Sequence, residues 1–145
     1  MLLPCSVSKG ASMRFFEKLK PLALLVLRVV IGAIFVQQGY IKLFVNRAMF
    51  MKLFTTWGFP AYFAYVAGAL ELFGGILLVL GVVTRLVGFL FAVEMGIAFA
   101  KVHLRHDWSD PHTAGLVLLL GAGAFVLAAV GAGAISVDGQ SFERG

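Results

Sequence analysis

Two carboxylates are placed where carboxylates are expensive. Glu71 is the one charged residue of the apolar run Ala61–Gly81, and Glu94 is the one acidic residue of the run Leu86–Leu104. An earlier run, Pro21–Phe44, carries Arg28 near its start, Gln38 in its second half and Lys42 near its end. Ionisable groups within long apolar segments are functional candidates by default, because they take part in proton relays, ligand contacts or ion pairs. Drawn as helices that alternate up and down, these runs bring Glu71 and Glu94 to similar depth. Arg28 then falls about 8 Å to one side of the midpoint of its own run, within reach of either acid through its long side chain. Arg28, Gln38, Glu71 and Glu94 are therefore the candidate polar core site, and the chemistry on offer is proton-linked. The competing reading of the same residues is a buried structural ion pair that fixes helix packing. Depth favours Arg28 over Lys42 as the partner, which leaves Lys42 to snorkel toward the headgroups as an interface anchor.

The elements that must position these groups follow from composition. The chain has 145 residues, is 61% hydrophobic and only 13% charged, and has a mean hydropathy of +0.97. That is too apolar for a soluble domain of this size and identifies an integral membrane protein whose first partner is lipid. A bilayer core of roughly 30 Å needs about 20 residues per helix. The length therefore accommodates four spans, near 22–44, 61–81, 86–104 and 113–135, in one all-α domain over residues 21–139. The expected fold is a four-helix up-down transmembrane bundle with a short interfacial helix between spans 1 and 2. That short helix comes from NRAMFMKLFTTWGFP, which sets Phe50, Leu53, Phe54 and Trp57 on one side and is too short to cross. Gly58 and Pro60 end it. Trp57 and Trp108 are expected as interface anchors.

Packing is expected through small residues. Gly32, Phe35 and Gly39 share a face of span 1 with Arg28, Gln38 and Lys42, and Ala64, Ala67, Gly68, Gly74 and Gly75 recur around Glu71. Span 4 has no ionisable residue but carries Gly115, Gly121, Gly123, Gly131 and Gly133. The basic residues Arg14, Lys18 and Lys20 precede Pro21, which stands at the first turn of span 1, and they favour both termini, 1–20 and 140–145, in the cytoplasm. Asn46–Pro60 and Arg105–His112 then lie outside. Residues 1–12 lack a periodic pattern, so Met13 is the expected start of translation, and Pro21–Phe44 is too long for a cleaved signal.

Other chemistries find little support. A net charge of +5 lies beside apolar runs and anchors to lipid rather than to nucleic acid. A single cysteine, Cys5, leaves no CxxC pair or disulfide within the chain. HLRHDWSDPH holds His103, His106 and His112 with Asp107 and Asp110, but lacks the acid that a metallohydrolase helix places between its histidines, and no metal site is assigned. Walker, Rossmann and haem-attachment patterns are missing. No cofactor is held by a motif of the chain, and activity of this chain alone is not expected.

The order of LRVVIGAIFVQQGYIKLF, GFPAYFAYVAGALELFGGILLVLGVVTR and GAGAISVDG resembles the DoxX family of small four-span bacterial membrane proteins, from about residue 22 to 139. Span 4 departs from the family in beginning HTAGLVLL, without the acidic residue found there in many members. The resemblance implies a bundle in the bacterial cytoplasmic (inner) membrane. It also implies association with an oxidoreductase system, quinone- or sulfur-linked, as a non-catalytic membrane subunit or partner of a redox protein, and offers a quinone as a candidate ligand of the polar site. A carrier or a scaffold without a redox role is the alternative.

Overall fold

A computed structural model describes residues 7–103, 111–133 and 135–136, with side chains from residue 14 onward apart from those of 102, 103 and 111–113. Among the described residues every regular element is helical: α1 (Val7–Tyr40), α2 (Arg47–Thr56), α3 (Phe63–Leu80), α4 (Thr84–Ala98) and α5 (Pro111–Val130). Single π-helical segments, Ile41–Val45 and Phe99–His103, extend α1 and α4. Two described helical stretches, Arg14–Val45 and Phe63–Leu80, are long and apolar enough to cross a bilayer, and Ala114–Val130 is apolar but shorter.

α1 packs most extensively on α3, and α4 on α5. The first contact is antiparallel and nearly backbone to backbone. A Cβ at Gly32 would stand 2.8 Å from the Gly75 carbonyl oxygen, one at Gly75 would stand 2.7 Å from that of Gly32, and one at Gly39 would collide with the backbone of Gly68 and Leu72. Glycine is needed at these positions because any side chain would push the helices apart. Gly68 meets Leu43 and Lys42, so it too faces α1, whereas Gly74 faces Phe91 of α4. The small-residue stripe around Glu71 thus serves two neighbours. The apolar core lies between the pairs, where Phe35 and Phe91 stack with centroids 3.7 Å apart and Leu78, Leu120 and Leu127 close around them.

Two boundaries differ from the sequence reading and one agrees with it. α1 begins at Val7 and carries Pro21 in its interior rather than at its first turn, because the amphipathic lead-in around Arg14–Lys20 continues the helix across the proline. α5 stops at Val130, five residues early, where Gly131 takes φ 87° and leaves the helix. α3 stops at Gly81 as expected: its φ of 74° allows Gly81 N–H to donate to the Leu78 carbonyl and Val82 N–H to that of Leu77, a glycine C-terminal cap.

Candidate functional site

The helix contacts give α1 and α3 a definite register. Gly32 lies level with Gly75–Val79 and Gly39 with Gly68–Leu72, so Glu71, at the middle of α3, is level with the second half of α1. Arg28 is level with the end of α3: a Cβ on Gly81 would lie 2.5 Å from its Nη1. Arg28 is the nearer cation only if the bundle is centred on the middle of residues 22–44, and the register moves that centre toward Lys42.

Side-chain direction completes the correction. In an α-helix Cα–Cβ bonds tilt toward the N-terminus. From α1 this carries Arg28 away from Glu71 and Lys42 toward it, while Glu71 leans toward the N-terminus of α3 and so toward Lys42. Lys42 Nζ donates to Glu71 Oε1 at 2.6 Å, with the two side chains 15% and 1% exposed. Lys42 is therefore a partner of the central acid and not a snorkelling anchor. The π-helical turn Ile41–Val45, in which the Asn46 N–H reaches back to the Ile41 carbonyl, holds it at this end of α1. π-turns of this kind recur at functional sites.

Glu94 approaches from α4. It is half-buried and lies close enough to Glu71 and Lys42 to feel both charges. Oε2 of Glu71 and Oε2 of Glu94 are buried without a hydrogen-bond partner. The cluster therefore sets two carboxylates against one ammonium and retains acceptor capacity. Gln38, one turn before Lys42, is half-buried beside this region and makes no hydrogen bond among the described residues. One aromatic ring meets the cluster, with Lys42 Nζ 5.8 Å from the centre of Phe50 on α2, and a separate run of ring contacts joins Phe54 to Trp57 and Phe59, and Phe59 to Phe63. Lys101, in the second π-turn, stands 5.3 Å over Phe59.

Arg28, 3% exposed, does a different job. Its Nη1 donates to the Ala132 carbonyl at 2.9 Å and its Nη2 to that of Ile135 at 3.0 Å. Gly131 and Gly133, both at positive φ, turn the chain after α5, and Ser136 Oγ donates to the Gly133 carbonyl at 2.7 Å. A cation here faces the C-terminal ends of both α3 and α5, where helix dipoles place negative potential. Of the four candidate core residues, the structure brings Glu71 and Glu94 together, sets Gln38 nearby and removes Arg28.

Trp57 closes α2 and packs on Phe54. Trp108, His106, Asp107 and Asp110 lie outside the described residues, as do the side chains of His103 and His112. Among the described residues no group of three or more His, Cys, Asp or Glu side chains comes together. Sequence reasoning missed the Phe50 contact and the Lys42 pairing. The signal for the second was available, since Lys42 shares the inner face with Gly32, Phe35 and Gly39 and lies C-terminal to the level of the acid.

A Bacillus subtilis protein that carries the name "Putative oxidoreductase CatD" is 41% identical over 81 residues, 56% of this chain and 60% of its own length. The alignment thus covers less than two thirds of that relative. An uncharacterised Haemophilus influenzae protein is 32% identical over 139 residues, 91% of this chain and 100% of its own. No solved structure matches. The DoxX family profile matches residues 23–104, which include Arg28, Lys42, Glu71 and Glu94, and the chain belongs to the membrane-associated DoxX family.

Proposed function

We propose that this protein is a four-span subunit of the bacterial cytoplasmic (inner) membrane that serves a redox system, with Lys42, Glu71 and Glu94 as its working polar site. The observation that carries the reading is the mid-helix carboxylate Glu71, 1% exposed and paired to Lys42 beside a second buried carboxylate oxygen. Such a cluster can hold or pass a proton, because one acid is tied to the ammonium while the other acceptors stand open within an apolar shell. Its ligand would be a quinone whose carbonyl oxygen accepts from Lys42. The name carried by the Bacillus relative supports the redox association. The two remaining spans are α5 and α4 continued through its π-turn, and Thr84–His103 has the length of one crossing. Both termini are cytoplasmic, with α2 on the outer surface.

The test is a purification from native membranes in mild detergent, with extraction of bound quinone and cross-linking of a redox partner. Wild type should carry quinone and its partner, and Lys42→Met/Glu71→Leu should be folded and lose the quinone. Wild-type protein free of both, from cells whose quinone reduction is unchanged when the gene is deleted, would overturn the redox reading in favour of a carrier or a scaffold.

A further inference from the structure

The outward face of α1 carries a feature that the polar core does not use. Val26, Val30, Ala33, Gln37 and Tyr40 follow one another at spacings of four and three residues, and all are exposed. This is the pattern of a helix seam. Gln37 is its one amide side chain, a turn inside the last residue of α1, Tyr40. By the α1–α3 register it lies level with Leu72, at the middle of α3, and it makes no hydrogen bond among the described residues. Beside it a concavity of about 510 Å³ runs between α1 and α3, bordered by Ala33, Val36, Gln37, Tyr40, Ile76 and Val79.

We propose that this face binds a second copy of the chain, with the two α1 helices parallel and their Gln37 amides hydrogen-bonded to each other. The inference rests on α1 spanning the membrane. An acyl chain would fill the concavity and leave a primary amide unpaired at mid-depth, where it has neither water nor polar headgroup to meet. A carboxamide is both donor and acceptor, so it is complementary to itself. A two-fold axis along the membrane normal brings the same residue of both copies to the same depth. Ala33, one turn before Gln37, lets the helices approach, and the concavity receives the larger side chains of the facing helix. Single polar residues at seam positions fix register in this way.

The experiment is disulfide cross-linking in native membranes, in a chain with Cys5→Ser. Ala33→Cys and Tyr40→Cys should form covalent dimers, whereas Phe73→Cys and Leu119→Cys, on the exposed faces of α3 and α5, should not. Adding Gln37→Leu should weaken the dimer about tenfold on dilution in lipid, and Gln37→Asn should retain it. Equal cross-linking at all four positions, none at either seam position, or a Gln37→Leu protein that dimerises like wild type would overturn the proposal. So would a monomer that purifies with one lipid in the groove. Labelling of Ala33→Cys by a membrane-impermeant thiol reagent would instead remove the span beneath it, and would separate that failure from a monomeric span.

Discussion

Removing Lys42 should cost more than removing Glu71, although they form one ion pair. Lys42→Met leaves both oxygens of Glu71 without a partner, in a side chain 1% exposed and beside Glu94. A broken buried pair with a stranded charge costs about 3–5 kcal/mol, and the neighbouring acid puts this case at the upper end. Glu71→Leu strands the ammonium instead, but Lys42 has a 15% exposed side chain near the end of α1. Its four-carbon stem can carry the charge to the surface past Phe50, so the cost should be about 1–2 kcal/mol. Lys42→Met/Glu71→Leu removes both charges with little change in volume and should lie within about 1 kcal/mol of wild type. Thermal unfolding of the purified proteins in one detergent, followed by tryptophan fluorescence and circular dichroism, measures all three. The expected order of stability is wild type and double variant together, then Glu71→Leu, then Lys42→Met. Equal losses in the two single variants would refute the escape of Lys42, and a double variant no better than Lys42→Met would refute the pairing as the source of the cost.

Gly75→Leu should destabilise by about 3 kcal/mol or more, because even a Cβ would press on the Gly32 carbonyl, whereas Gly96→Ala, with nothing within 4 Å of its Cβ, should be neutral or gain up to about 1 kcal/mol; the same unfolding assay reads both. Arg28→Met should lose about 3 kcal/mol and expose the chain after Val130 to limited proteolysis, with only partial rescue by lysine, which cannot fork to the Ala132 and Ile135 carbonyls. Alkaline phosphatase fused after Gly145 should be inactive, and high activity would reverse the proposed orientation.

The helical architecture was legible because its signals are local. Apolar run length, the glycine that ends α3 at Gly81 and the one-sided aromatics of Arg47–Thr56 each act over a few residues. Periodicity also identified the inner face of α1, where Phe35 is fully buried and Arg28 nearly so. Depth was less accessible. It depends on how α1 slides along α3, and that is decided by which glycines meet, Gly32 with Gly75 and Gly39 with Gly68. A span placed by hydropathy alone slides freely by a turn or more, about 5.4 Å each, and a slide of that size moves the level of the acid from nearer Arg28 to nearer Lys42. The run through Pro21 and the two π-turns were hidden for a related reason. Each is a local backbone irregularity tolerated because neighbouring turns and tertiary contacts hold it, and propensity alone does not record those neighbours.

The division of labour between the two cations of α1 follows from direction and from shape. Arg28 and Lys42 are 14 positions apart on one inner face, about 21 Å along the axis, and both side chains lean toward the helix N-terminus. The same lean moves one away from the centre of the bundle and the other into it. At the outer position the acceptors are two backbone carbonyls, of Ala132 and Ile135, presented side by side by a segment that turns twice through positive φ. A planar guanidinium can donate to both at once, and an ammonium cannot hold that geometry. At the inner position the ammonium meets one near oxygen, Glu71 Oε1, and stands 5.8 Å from the centre of the Phe50 ring. A compact charge on a flexible stem fits there and can also leave it. Exchanging the two, as Arg28→Lys/Lys42→Arg, should therefore preserve net charge and lose function at both ends.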